Sequence, residues 1–187
     1  MVIYIHGFGG CGKGVKATEF KKHYQQRNIS FLAPSLSYVP TLALSTLEEI
    51  IENCQGEEIK LIGSSLGGFY AIYLANRYNL KTALINPSTN PISTLQRISE
   101  KNYRGINFFD LSEFDFNINH INMLKQYYVK DIKKELFLVM LQKDDDLIDY
   151  QIAKEQFSGS TIIIAEGGGH GFEGIESYFN QIDDFLF

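Results

Sequence analysis

One serine of the chain has the surroundings of an enzymatic nucleophile. The segment Gly63-Ser64-Ser65-Leu66-Gly67 matches the G-x-S-x-G pattern, in which a sharp turn from strand to helix exposes the central hydroxyl. A predicted strand precedes it. A predicted helix follows, and the free N–H groups and positive dipole end of such a helix stabilise an oxyanion. The pattern predicts Ser65 as the nucleophile; the alternative is a serine that only caps the helix.

A serine hydroxyl needs a base to remove its proton, and a carboxylate must hold that base in the right tautomer. His170 is the favoured base because it lies in the glycine-rich segment Glu166-Gly167-Gly168-Gly169-His170-Gly171, between the last predicted strand and the last predicted helix. A flexible turn is the alternative for this segment. The other histidines lie in a predicted helix (His23), in an insertion (His120) and in a separate motif (His6).

Three consecutive aspartates follow the predicted strand at residues 136–141, at the carboxyl end where functional groups of parallel sheets gather. We favour Asp145 as the acid, then Asp144, then Asp146. A solvated acidic loop is the alternative interpretation. The resulting chain order of serine, aspartate and histidine is the one expected for a nucleophile on a strand-to-helix turn.

The segment Ile5-His6-Gly7-Phe8-Gly9-Gly10 directly follows the first predicted strand. Hydrolases with this type of nucleophile place one backbone donor of the oxyanion hole here and the other just after the nucleophile. We therefore predict the Phe8 N–H and the Leu66 N–H as the two donors. Removing one such donor typically costs on the order of 3 kcal/mol in transition-state stabilisation.

The same stretch also matches a phosphate-binding loop, because residues 7–13 read G-x4-G-K. Gly14, however, stands where that motif needs Ser or Thr to hold Mg²⁺. The predicted strand at residues 59–62 also leads into Gly63-Ser64-Ser65 instead of a metal-binding aspartate. A nucleotide-binding protein is therefore the less favoured alternative, and neither a metal nor an organic cofactor is predicted.

Short apolar runs alternate with amphipathic segments along the chain. Strands are predicted at residues 2–5, 29–32, 59–62, 82–85, 136–141 and 161–165, and helices at 13–27, 41–55, 66–77 and 150–157, with a last helix near the C terminus. This alternation predicts an α/β fold with a mostly parallel sheet and helices on both faces. At 187 residues the chain is predicted to form one domain.

Residues 88–134 separate two predicted strands by more than a crossover helix needs. Their apolar side chains are Phe108, Phe109, Leu111, Phe114, Phe116, Ile118, Ile121, Met123 and Leu124. We expect an insertion that forms a cap over the site. The equally open alternative is that these side chains pack against the edge of the sheet.

Bulk composition excludes several classes of function. The net charge is −5 and no long Lys/Arg run is present, so nucleic acid is not an expected partner. No signal peptide or membrane-spanning run is recognisable, which predicts a cytoplasmic location. Cys11 and Cys54 are expected to be reduced thiols, with Cys54 buried in the apolar stripe of a helix.

A family resemblance is carried by six segments: Ile3-Tyr4-Ile5-His6-Gly7-Phe8, Lys16-Ala17-Thr18, Gly63-Ser64-Ser65-Leu66-Gly67-Gly68-Phe69-Tyr70, Asn86-Pro87, 145–150 and Glu166-Gly167-Gly168-Gly169-His170-Gly171-Phe172. Through them nearly the whole chain resembles the YqiA-like small bacterial esterases of the α/β-hydrolase superfamily. The resemblance implies a compact α/β-hydrolase fold and a cofactor-free esterase for acyl esters, including acyl-CoA thioesters. Its nucleophile, acid and base map onto Ser65, Asp145 and His170. The glycine that usually precedes the acid is replaced by Asp144, which leaves the choice of aspartate open.

Residues and resemblance together predict the chemistry of the chain. We expect a serine esterase or thioesterase that cleaves a small-molecule acyl ester or thioester through an acyl-enzyme. The alternative is a binding protein that retains the scaffold without turnover. The physiological substrate and the oligomeric state stay open.

Overall fold

A six-stranded parallel sheet forms the centre of the protein in a computed structural model, which describes residues 1–54, 56–99 and 104–187. Its strands are β1 (Val2–Ile5), β2 (Phe31–Leu32), β3 (Lys60–Ser64), β4 (Thr82–Ile85), β7 (Phe137–Gln142) and β8 (Thr161–Ala165). Their order in the sheet is β2-β1-β3-β4-β7-β8, and every neighbouring pair is parallel. The predicted parallel α/β architecture is thereby confirmed.

Helices cover both faces of this sheet. They are α1 (Val15–Gln26), α2 (Pro40–Asn53), α3 (Leu66–Tyr78), α6 (Tyr150–Gln156) and α7 (Phe179–Leu186). Successive side chains of a strand point to opposite faces of the sheet, so the side chains of β1 pack into the apolar cores on both faces. Val2 and Tyr4 pack with residues of α1 and α7, whereas Ile3 and Ile5 pack with residues of α2, α3 and α6.

The boundaries of several elements differ from the predicted ones by a few residues. The first helix begins at Val15 because Gly14, its N-cap residue, is still extended. Strand β2 is shorter than predicted, and the C-terminal segment begins with a 3-10 turn at Ile175–Tyr178 before α7. The predicted end of the second helix at Gln55 lies outside the described residues.

The 88–134 segment has its own secondary structure, which the sequence pattern did not predict. It contains α4 (Pro91–Ser99), an antiparallel hairpin of β5 (Arg104–Ile106) and β6 (Glu113–Asp115), and α5 (Ile118–Lys125). Four of its apolar side chains, Leu95, Phe116, Ile121 and Leu124, are buried in the main core. Phe108, Phe109 and Leu111 at the hairpin turn are instead exposed. One part of the segment therefore packs against the body of the protein, and another faces solvent.

Two further expectations concern the cysteines and the membrane. Cys11 is buried, and both cysteines are free thiols. Cys54 is only partly buried, contrary to the prediction of a buried side chain, because α2 ends at Asn53 and Cys54 is its C-cap residue. Among the described residues, every helix is too short or too polar to cross a bilayer.

Candidate active site

Ser65 lies at the sharp turn that joins β3 to α3. Its backbone angles are φ +55° and ψ −123°, a left-handed conformation that is costly for a residue with a Cβ. The turn is held by hydrogen bonds from Ser65 N to Ile85 O (3.1 Å) and from Ser88 N to Ser65 O (2.9 Å). These contacts fix the serine hydroxyl at the carboxyl edge of the sheet.

The two glycines of the G-x-S-x-G pattern are required by close backbone contacts. A Cβ on Gly63 would lie 2.7 Å from the Cβ of Ala71, and a Cβ on Gly67 would lie 2.1 Å from Ile5 O. Neither position has room for a side chain. The pattern thus allows α3 to pack directly against the ends of β1 and β3.

Ser65, Asp145 and His170 form a continuous chain of hydrogen bonds. The distance between His170 Nε2 and Ser65 Oγ is 2.8 Å. On the other side of the imidazole, His170 Nδ1 lies 2.9 Å from Asp145 Oδ2 and 3.0 Å from Asp145 Oδ1. In this geometry the carboxylate holds the proton on Nδ1, which leaves Nε2 free to accept the serine proton.

The environment of Asp145 keeps its carboxylate ionised. Its side chain is only 2% exposed, and burial alone would raise its pKa. The hydrogen bonds from His170 and from the N–H groups of Ile148 and Leu147, both 2.9 Å from Asp145 Oδ1, outweigh burial, so that the pKa lies below its ordinary value. Asp144 and Asp146 are exposed. Of the three candidate acids, Asp145 is the one that reaches His170.

Two buried amides hold the loop that carries His170; Asn86 had entered the sequence analysis only through the family resemblance, and Gln142 had not been predicted at all. Asn86, 2% exposed, donates from Nδ2 to Gly169 O (3.1 Å) and His170 O (3.3 Å), and accepts from Gln142 N (2.9 Å). Gln142, 4% exposed, exchanges two hydrogen bonds of 2.9 Å with the backbone of Glu173. Polar residues at the ends of buried strands were the available signal.

We expect Asn86→Ala to lower the free energy of unfolding by roughly 2 to 3 kcal/mol, because it removes the partners of buried backbone groups at Gly169, His170 and Gln142. Urea denaturation measures this difference. The matched control is Asn122→Ala, whose exposed amide bonds Lys125; it should change stability by less than about 0.5 kcal/mol. Equal effects of the two substitutions would contradict the clamping role.

The predicted oxyanion donors lie next to Ser65. Leu66 is the first residue of α3, and Phe8 lines the same cavities as Ser65 and His170. Neither the Phe8 N–H nor the Leu66 N–H has a hydrogen-bond acceptor among the described residues. The Phe8 ring packs edge-on against Phe114 and Phe116, with ring centroids 5.4 and 4.9 Å apart, which anchors this part of the loop.

His6 holds the loop of residues 7–10 through hydrogen bonds of both its ring nitrogens. Its Nδ1 lies 2.8 Å from Gly7 O, and its Nε2 accepts from Leu36 N at 2.9 Å. Burial lowers the pKa of His6 below its ordinary value, although the bond to Gly7 acts in the opposite direction. A neutral imidazole with its proton on Nδ1 satisfies both bonds.

The remaining histidines have partners of their own away from Ser65. His23 pairs with Asp183 at 2.7 Å, and His120 accepts from Asn117 N at 3.1 Å as part of the cap of α5. Within residues 1–54, 56–99 and 104–187, no group of three His, Cys, Asp or Glu side chains is arranged to hold a metal ion.

The segment that resembles a phosphate-binding loop lies against Ser65. A Cβ on Gly7 would be 3.0 Å from the Cβ of Ser65, and Lys13 Nζ lies 5.5 Å from the centroid of the Phe109 ring. Strand β3 ends at Ser64 without a metal-binding aspartate. These contacts favour a role in the serine site over nucleotide binding.

The fold is that of the α/β hydrolases among the solved structures. It is similar to the alpha/beta hydrolase domain-containing protein 10 from mouse (TM-score 0.78, 16% identity, 99% of this chain and 88% of that chain). It is also similar to Est1E from Butyrivibrio proteoclasticus, in a structure with ferulic acid bound (TM-score 0.69, 14% identity, 99% of this chain and 87% of that chain). At these identities the likeness concerns the fold.

The chain belongs to the UPF0227 family, an uncharacterised protein family whose model matches residues 1–187. A UPF0227 protein of Serratia proteamaculans (strain 568) is 22% identical over 191 residues, which cover 99% of this chain and 98% of that protein. A second, from Shewanella sp. (strain MR-7), is 23% identical over 165 residues, 83% of this chain and 81% of that protein. The resemblance to YqiA-like proteins is confirmed.

Proposed function

We propose that this protein is a serine hydrolase that cleaves acyl esters or acyl thioesters through an acyl-enzyme intermediate. One observation carries the proposal: the imidazole of His170 bridges the Ser65 hydroxyl at 2.8 Å and the Asp145 carboxylate at 2.9 Å. A buried, ionised carboxylate, a correctly oriented imidazole and a hydroxyl on a strained turn are the parts that acyl transfer requires.

The proposed reaction has two halves that use the same groups. Ser65 Oγ attacks the acyl carbonyl while His170 Nε2 takes the hydroxyl proton, and the Phe8 and Leu66 N–H groups stabilise the oxyanion that forms. The imidazolium then donates its proton to the departing alcohol or thiol. Water attacks the acyl-enzyme in the second half, again with His170 as the base, and releases the acid.

A fluorophosphonate probe tests the nucleophile directly. We expect one covalent adduct per chain, located on Ser65 by mass spectrometry of the digested protein, because the probe reacts with a serine activated by a neighbouring base. The Ser65→Ala protein should remain unlabelled.

Ser64→Ala is the matched control, since Ser64 is the buried neighbour of the reactive residue, and it should retain labelling. An unlabelled wild-type chain that is folded would instead favour a binding protein on a hydrolase scaffold. An adduct on another serine would reassign the nucleophile.

A further inference from the structure

Two cavities meet at Ser65 and His170. One, of about 310 Å³, is lined partly by the 88–134 segment and is called the insertion pocket below. The other, of about 330 Å³, lies beside the start of α1 and is called the α1 pocket. A substrate whose carbonyl reaches Ser65 Oγ therefore has two separate spaces for the two halves of the molecule.

The insertion pocket is the apolar one. Besides Ser65 and His170, its lining consists of Phe8, Leu66, Ser88, Pro91, Thr94, Leu95, Ile106, Phe108, Leu147 and Ile148. No carboxylate, lysine or arginine is present among these lining residues. A charged group bound here would lose its hydration without gaining a partner. The volume lies at the lower end of the range of about 300 to 1,000 Å³ for ligand pockets, which suits a small apolar group.

The α1 pocket has polar groups that the insertion pocket lacks. Its lining includes Lys16, Ser64 and Cys11, together with glycines whose backbone is accessible. The Lys16 Nζ donates to Gly171 O at 2.5 Å, which holds the cation beside the cavity. The α1 pocket thus offers a cation and thiol and hydroxyl groups, whereas the only side-chain hydrogen-bonding groups of the insertion pocket besides Ser65 and His170 are the hydroxyls of Ser88 and Thr94.

Phe108 lines both cavities, as do Phe8, Ser65 and His170. Its backbone N–H donates to Gly9 O at 2.8 Å, so the hairpin turn of the 88–134 segment is attached to the loop that carries the Phe8 N–H. The side chain is 73% exposed and thus stands at the mouth of the site instead of in the core.

We propose that the insertion pocket binds the acyl group and the α1 pocket binds the leaving group. The substrate class is then an ester or thioester of a small, uncharged, apolar acid with a polar alcohol or thiol. This assignment rests on the proposed function, because it is defined around the Ser65 hydroxyl. It makes the wall formed by Thr94, Leu95 and Phe108 the determinant of acyl specificity.

Two series of esters test the assignment. In the first, p-nitrophenyl esters vary from acetyl to octanoyl; in the second, acetate esters vary in the length of the alcohol. For the wild type, kcat/KM should rise roughly fourfold per methylene of the acyl chain until the pocket is full. Lengthening the alcohol should have a smaller effect, since the α1 pocket gains less from apolar groups.

Thr94→Trp places a large ring at an exposed position that lines the insertion pocket. It should lower the ratio of the kcat/KM for the octanoyl ester to that for the acetyl ester at least about tenfold, because the ring prevents burial of a few methylenes of the longer acyl chain. Ser93→Trp, at the exposed neighbouring position outside the lining, is the matched control and should leave the ratio unchanged. In the acyl series, Phe108→Ala should make kcat/KM differ less from one acyl chain to the next. Phe109→Ala should leave these differences unchanged.

The outcomes separate the pocket assignment from the proposed function. If Thr94→Trp changes selectivity in the alcohol series and not in the acyl series, the assignment of the two pockets is reversed and this proposal fails. The proposed serine hydrolase activity is still supported in that case. Equal acyl ratios in the wild type, Thr94→Trp and Ser93→Trp proteins also overturn it. Absence of Ser65-dependent hydrolysis for every ester in both series overturns the proposed function itself.

Discussion

The Ser65→Ala protein should hydrolyse p-nitrophenyl butyrate with a kcat lower by a factor on the order of a million, the loss found when a triad nucleophile is removed. The reason is that Ser65 Oγ is the hydroxyl hydrogen-bonded to His170 Nε2, and alanine offers no atom that can form the acyl-enzyme. Steady-state hydrolysis, followed by p-nitrophenolate absorbance, measures the effect.

The fold should survive this substitution. Alanine and serine tolerate the φ of +55° at this turn about equally poorly, and the backbone bonds to Ile85 and from Ser88 do not involve the side chain. Circular dichroism and the urea midpoint should therefore match the wild type within about 0.5 kcal/mol. A folded Ser65→Ala protein with wild-type turnover would remove the basis of the proposed mechanism.

The second large effect is expected for Asp145→Asn, which should lower kcat by roughly four orders of magnitude. An amide at this position retains an acceptor for the N–H groups of Leu147 and Ile148 but lacks the charge that stabilises the imidazolium. It also permits the tautomer with the proton on Nε2, which cannot accept a proton from Ser65. The same p-nitrophenyl assay, run beside an unfolding curve, measures both consequences.

Asp144→Asn is the matched control for this experiment because it alters the exposed neighbour in the same loop. Its kcat should stay within about twofold of the wild type, as for surface substitutions away from a site. A larger loss for Asp144→Asn than for Asp145→Asn would transfer the acid role to Asp144 and require a different arrangement of this loop in solution.

Local pattern was sufficient to predict the parallel sheet and to single out Ser65 and His170, whose side chains lie in hydrogen-bonding contact. The turn at Ser65 needs glycines at fixed offsets, because α3 approaches β1 and β3 too closely for a Cβ at Gly63 or Gly67. Because this steric requirement falls on residues next to Ser65 in the sequence, a short segment is enough to recognise it. The strands were predicted for the same reason, since burial on both faces requires continuous apolar runs.

Which of the three adjacent aspartates contacts His170 depends on the tertiary structure. Asp144, Asp145 and Asp146 have the same chemistry and differ in the direction in which the backbone points each carboxylate. Only the contact between the turn that follows β7 and the 166–173 loop, made by Asp145 and His170 across 25 residues of chain, selects one of them.

By itself the sequence determined which residue types stand at the ends of the strands, and hence the class of chemistry proposed here. Tertiary structure alone decided how Asn86 and Gln142 hold the 166–173 loop, and how Phe108 of the hairpin turn comes to line both cavities beside Ser65. Those features arise from contacts between segments far apart in the chain, and no short-range periodicity encodes them.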